Sequence, residues 1–221
     1  MKKTFGKVIF AVILAIMAGA LSACGASVTF TDGSSSRAEF AAKTSKIFAD
    51  GNLGADEGFA LNYSINPGFN DVDSQFYSGM FFEKGGVKYS LNLYCPNKEE
   101  TDIIFQVGAY PNFIYFRRPL KLRGTGKTNV AFKIAYVAEE EAFYVSIGKG
   151  FKEKFDAASE AVVSRESGGG PAAQYSVADI FSRGERAVGL ATNNAEFTYF
   201  TKVSFKRGDD AAKAAKTKAG F

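Results

Sequence analysis

From residue 59 onward apolar and polar positions alternate. In Phe59-Ala60-Leu61-Asn62-Tyr63-Ser64-Ile65-Asn66 the odd positions are apolar and the even ones small or polar, the two-residue period of a strand that buries one face. The alternation returns in Val87, Tyr89, Leu91 and Leu93 against Lys88, Ser90 and Asn92, in Ile103, Phe105 and Val107, and in Val130, Phe132, Ile134 and Tyr136. Phe143, Val145 and Ile147 follow the run Glu139-Glu140-Glu141, which suits a hairpin tip because three like charges need water. Phe197, Tyr199, Val203 and Phe205 close the series. Asn66-Pro67-Gly68, Gly85-Gly86 and Gly124-Thr125-Gly126 fall between runs and mark turns. Short strands at this spacing predict an all-β, antiparallel sandwich or barrel.

Three stretches keep a different rhythm. Ser36 followed by Glu39 forms a capping-box pattern, and Phe40, Ala41, Ile47 and Phe48 recur at helical spacing before Gly51, so an amphipathic helix is predicted over 36–50. Residues 156–183 are rich in Ala, Ser and Gly, with Ser167-Gly168-Gly169-Gly170-Pro171 as a flexible loop flanked by short helical turns. From Arg207 to Phe221 the chain is mostly Ala and Lys, a composition that reads as a frayed basic tail.

The N-terminal segment is of another kind. Lys2, Lys3 and Lys7 precede an apolar run from Val8 to Ala20, the pattern of an export signal and too short for a comfortable membrane span. It ends in Leu21-Ser22-Ala23-Cys24, which resembles a lipobox, and implies cleavage before Cys24 and acylation of its thiol. The resulting division is a signal peptide over 1–23, a lipid-anchored linker over 24–35, a sandwich with its helix over 36–206 and the tail over 207–221. Acylation of Cys24 leaves Cys95 alone, without a disulfide framework. The expected location is outside the cytoplasm, with a membrane as partner through the lipid.

Charge narrows the partners. Loss of residues 1–23 removes three lysines and no acid, leaving 24 basic residues against 23 acidic ones, a net +1. So small a charge argues against non-specific nucleic-acid binding.

Several segments resemble concanavalin A-like, laminin G-type jelly rolls: Phe59 to Ile65, Tyr77-Ser78-Gly79-Met80-Phe81-Phe82 with Val87 to Leu93, the pair Asn129 to Tyr136 and Ala142 to Gly148, and Val188-Gly189-Leu190-Ala191-Thr192 with Phe197 to Phe205. The resemblance implies an antiparallel β-sandwich and a superfamily that contains both carbohydrate binders and glucanases. It carries no particular ligand with it.

Catalytic chemistry is hard to place. Glucanases of that superfamily set acidic residues at alternate strand positions, whereas Glu139 to Glu141 are consecutive. The chain has no His, which removes the commonest general base and zinc ligand. Asp71 and Asp73 could donate oxygens to calcium, but a pair of carboxylates in a polar loop is more often solvated, and no cofactor is expected. Two candidate binding surfaces stand out. Arg117, Arg118, Lys121 and Arg123, with Tyr115 beside them, form an acid-free aromatic and basic segment suited to anionic groups on a glycan or envelope polymer, or else a solvated hairpin. Asn62, Asn92, Tyr94 and Tyr144 could meet sugar hydroxyls from a sheet face. The expectation is a non-enzymatic, lectin-like binding module; a hydrolase with displaced carboxylates and an adhesion or scaffold protein remain alternatives.

Overall fold

The computed structural model describes residues 28–35, 39–41, 43–65, 76–95, 102–109, 112–119, 129–156, 161–163, 174–176, 184–192 and 198–221. Residues 1–23, expected to be an export signal, Cys24, Asp71, Asp73, Lys121, Arg123 and residues 167–171, expected to form a loop, lie outside them.

The strands are β1 (Glu39–Phe40), β2 (Ser45–Leu53), β3 (Phe59–Ile65), β4 (Phe76–Lys84), β5 (Val87–Cys95), β6 (Asp102–Ala109), β7 (Asn112–Pro119), β8 (Val130–Val137), β9 (Ala142–Ile147), β10 (Phe151–Phe155), β11 (Ala161–Val163), β12 (Gln174–Ser176), β13 (Arg186–Thr192) and β14 (Thr198–Arg207). One helix, α1 (Asp209–Lys218), follows them. The first sheet has the order β1-β14-β3-β8-β9-β10, the second β2-β13-β4-β5-β6-β7, and β11 pairs with β12 alone. All pairings are antiparallel. The predicted antiparallel β-sandwich is the fold observed.

One core joins the two sheets. Phe59, Leu61, Tyr63 and Ile65 of β3, Phe132 and Ile134 of β8, and Phe143, Val145 and Ile147 of β9 meet Met80, Phe82, Leu91, Leu93, Val188 and Leu190 of the second sheet. These are the apolar positions of the alternation, so their neighbours fall on the outer faces. Without Trp, Phe and Tyr fill the volume: Tyr63 stacks on Phe132 at 4.7 Å, and Phe48 of β2 on Phe205 of β14 at 4.7 Å. Arg186 ties the sheets at one end. Only 3% exposed, its guanidinium lies 4.9 Å from the Tyr136 ring centroid and donates to the carbonyls of Gly184 and Glu57. Burial pushes its pKa down.

The helix predicted over 36–50 is not formed; that region supplies β1 and β2 instead. An extended chain lets Phe30, Phe40 and Phe48 pack together, with ring centroids 5.6 Å (Phe30–Phe40) and 5.2 Å (Phe30–Phe48) apart, and sets Phe40 against Phe200 at 4.8 Å. Burying each ring contributes roughly 1.5–3 kcal/mol, which outweighs the few tenths per residue that helix propensity supplies. Gly51, expected to stop the helix, lies inside β2 where its pairing with β13 shifts register. A Cβ there would stand 2.5 Å from the Val188 carbonyl oxygen. The linker reading of 24–35 changes too: Phe30 is buried and bridges to Phe48.

Two further expectations are corrected toward the C-terminus. In β14 the inward positions are Phe200, Val203 and Phe205, because a bulge between Thr201 and Ser204, with Lys202 at φ 54°, changes the phase. Tyr199 consequently faces outward and is 51% exposed. The frayed tail is instead α1, docked on the first sheet. Ala and Lys favour a helix, and Asp209 and Asp210 in its first turn with Lys216 and Lys218 in its last suit the helix dipole. Ten residues make a marginal helix in water. Docking is what stabilises it.

Candidate functional site

The outer face of the first sheet is built from the positions that alternate with the buried apolar ones. Strand register aligns them in rows across the sheet. One row is Lys206, Ala60, Ala135, Tyr144 and Lys154; the next, two residues along each strand, is Ser204, Asn62, Lys133, Ser146 and Lys152. A third holds Thr201, Ser64 and Ala131.

Helix α1 covers the first row and the end of the sheet beyond it. Ala212 packs with Ala135, Val137, Ala142 and Tyr144, with Ala215 and Phe221 beside them. The hairpin tip between β8 and β9, a 3-10 turn at Ala138–Glu140, anchors the helix. Asp209 accepts the backbone N–H of Ala138 and of Glu139, each at 2.9 Å. Lys213 pairs with Glu139 at 2.6 Å, and Lys216 donates to both oxygens of Glu140 at 2.7 Å. Tyr144 also donates its hydroxyl to Glu140. Hydrogen bonds from Lys216 and then Tyr144 hold the Glu140 carboxyl below its usual range, and Glu140 in turn raises the pKa of Lys216. Burial and the Glu140 contact push the Tyr144 phenol up. The fit is close at Gly58, where a Cβ would collide with Asp209 Oδ1 and stand 2.7 Å from the Tyr136 carbonyl. The acidic tip is therefore the socket of α1 as well as a turn.

The second and third rows lie beside this cover. Asn62, Ser146 and Ser204 are half-buried, and Lys133 and Lys152 are exposed. Lys152 donates to the Gly220 carbonyl and sits 4.7 Å from the Phe221 ring centroid, which ties the end of this row to the end of α1. Tyr199 stands beyond the third row, on the side away from the helix. None of the described side chains in these two rows is acidic, and Lys133, Lys202 and Lys206 form no ion pair with the described residues.

The residues singled out from sequence are distributed differently from that expectation. Asn62 and Tyr144 share the outer face of the first sheet, but Tyr144 is only 3% exposed beneath α1. Asn92 and Tyr94 belong to β5 in the second sheet, so the four do not come together. Asn92 is buried and donates to Ser90 Oγ at 2.9 Å. Tyr115, Arg117 and Arg118 lie in β7, the edge strand of the second sheet, with Arg117 opposite Ile104 and Arg118 opposite Ile103. Sequence reading missed Lys133, Ser146, Lys152, Ser204 and Tyr199. The first four occupy polar phases of predictable strands, yet only register lines them up.

Arg207-Gly208-Asp209 forms the corner from β14 into α1. Arg207 grips Glu57 with two hydrogen bonds of 2.7 Å and holds that carboxyl below its usual range. Each strand carries at most one carboxylate. Among the described residues no three metal-ligating side chains cluster, and no helix is long and apolar enough to cross a membrane.

No protein-family model matches the sequence, and no curated protein matches it. Similar solved structures exist at low identity. The enzymatically active domain of tailspike protein 2 from bacteriophage CBA120 is 14% identical with a TM-score of 0.50, over 87% of this chain and 27% of that one, so the chain spans little more than a quarter of it. The CBM2 module of the evolved Dit of Lactobacillus casei BL23 phage J-1 is 10% identical with a TM-score of 0.42, over 71% and 66%. An endo-1,3-beta-glucanase from Streptomyces sioyaensis is 8% identical with a TM-score of 0.42, over 74% and 69%. At 14% identity and a TM-score of 0.50, the likeness to the tailspike domain is one of fold.

Proposed function

We propose that this chain is a lipid-tethered, extracytoplasmic binding module that recognises a glycan, with a sandwich of the concanavalin A-like, laminin G-type class. The tether rests on the lipobox at Cys24. The observation that carries the glycan reading is the row Ser204, Asn62, Lys133, Ser146 and Lys152, polar groups aligned on five adjacent strands. Strands about 4.8 Å apart give it a length of roughly 19 Å, and rigid strands preorganise its donors and acceptors. Hydroxyl, amide and ammonium groups together match the dense hydroxyls of a sugar chain.

A glycan array probed with the protein starting at Cys24 tests this. The expected result is binding to a subset of polysaccharides that Asn62→Ala and Ser146→Ala weaken together. Binding to no glycan sinks the reading, and release of reducing ends from a bound polysaccharide replaces it with a hydrolase. Mass spectrometry of the cellular protein checks the tether, the expected product being a diacylated N-terminal Cys24.

A further inference from the structure

Resting on that reading, we infer that the bare half of the first sheet selects an anionic polysaccharide, one bearing carboxylate or other acidic groups, with Lys133 at its centre. Charge is the first argument. The row beside α1 holds Lys133 and Lys152, Lys202 and Lys206 flank it on β14, and no described side chain in that row or in the next, where Ser64 is buried, is acidic. Lys133 sits in the middle of the row, opposite Asn62 on one side and Ser146 on the other. An ammonium there is exposed, with no ion pair among the described residues. A neutral glycan would leave it unused. An acidic sugar would meet it with a charge-assisted hydrogen bond, about twice as strong as a neutral one, while Asn62 and the serines bind its hydroxyls.

Shape favours a polymer chain over an anionic membrane surface. Helix α1 lies on the adjacent row, about 7 Å away at two strand residues. A helix with its side chains is about 10 Å across. It stands above the sheet as a wall, with Phe221 and Lys152 joined at its far end. A flat bilayer would be held off Lys133 by this wall, whereas a single extended chain can lie along its foot. The near-neutral body also lacks the broad basic field that headgroup binding requires.

The test uses the protein from Cys24 onward and three probes: polygalacturonate, the same polymer with its carboxyls reduced to neutral alcohols, and vesicles of anionic phospholipid. The expected outcome is binding to polygalacturonate that weakens with salt, at least about tenfold weaker binding to the reduced polymer, and loss of that difference in Lys133→Gln. Lys133 is exposed, so the variant should keep its thermal midpoint, which is measured alongside. Equal affinity for the reduced polymer overturns the anionic inference and leaves the glycan reading standing. A salt-dependent preference for polygalacturonate that survives Lys133→Gln but is lost in Arg117→Gln/Arg118→Gln moves the site to β7 and overturns the placement. Binding to vesicles and to neither polymer overturns the inference outright, and the glycan array then decides whether the broader reading falls too.

Discussion

Two halves of one sheet face have opposite fates in this molecule. Both are made of the outward positions of β14, β3, β8 and β9. Where those positions are Ala60, Ala135, Val137 and Ala142 the backbone is nearly bare of side chain, and a helix can approach closely enough for Ala212 to be fully buried. Where they are Ser204, Asn62, Lys133 and Ser146 the same strands stay open. In β8 the change occurs within a few residues, from exposed Ala131 and Lys133 to buried Ala135 and Val137. Side-chain size and polarity therefore decide where the sheet is closed by its own chain and where a surface is left for something else.

The largest break in that contrast comes from making the covered half resemble the bare one. Val137→Lys would bury an ammonium beneath α1, whereas Ala131→Lys adds the same group to an exposed position of the same strand. Denaturant unfolding should show a loss of about 3 kcal/mol for the first and within about 0.5 kcal/mol of no change for the second. Equal effects would mean that α1 does not seal the face.

A smaller effect is expected at the anchor. Asp209→Ala leaves the N–H groups of Ala138 and Glu139 without their carboxylate acceptor, for a loss of about 1–2 kcal/mol. Hydrogen exchange at those two amides should accelerate while amides in the centre of β3 stay protected. Unchanged exchange at Ala138 would place the anchor elsewhere.

The smallest effect separates the halves by pH. Glu140 and Glu57 have pKa values lowered in the folded protein, chiefly by Lys216 and by Arg207. A lowered folded pKa contributes stability that is fully present above the ordinary glutamate value, about 4.3, and is lost as pH falls through the folded value. Tyrosine near-ultraviolet circular dichroism, to which Tyr144 under the helix contributes, should hold steady from pH 7 to 5 and decline only below about pH 4.3. Glu140→Gln should flatten that decline, and an undiminished acid transition in the variant would exclude Glu140 as its source.

Alternation made most of the sandwich legible in advance. β3, β5, β8 and β9 follow runs in which every second residue is apolar, and such a run has little choice but to bury that face. The region over 36–50 misled because Phe40, Ile47 and Phe48 satisfy helical spacing, and nothing local tells that Phe30 and Phe200 wait to receive those rings. The C-terminal segment misled for the opposite reason. Its apolar content is small, so its helix depends on a partner surface of alanines contributed by strands more than sixty residues earlier in the chain.

What the amino-acid order determined by itself is therefore the two-faced character of the strands, together with a composition that contains no His. Tertiary structure alone decided which polar residues stand side by side. A period of two assigns each side chain to a face, but the register between strands, set by bulges such as that at Thr201 and Ser204 and by the packing of the shared core, decides its neighbours across the sheet. Lys133 gains Asn62 and Ser146 as company, and Tyr144 loses its solvent to α1, through contacts that no local stretch of chain contains.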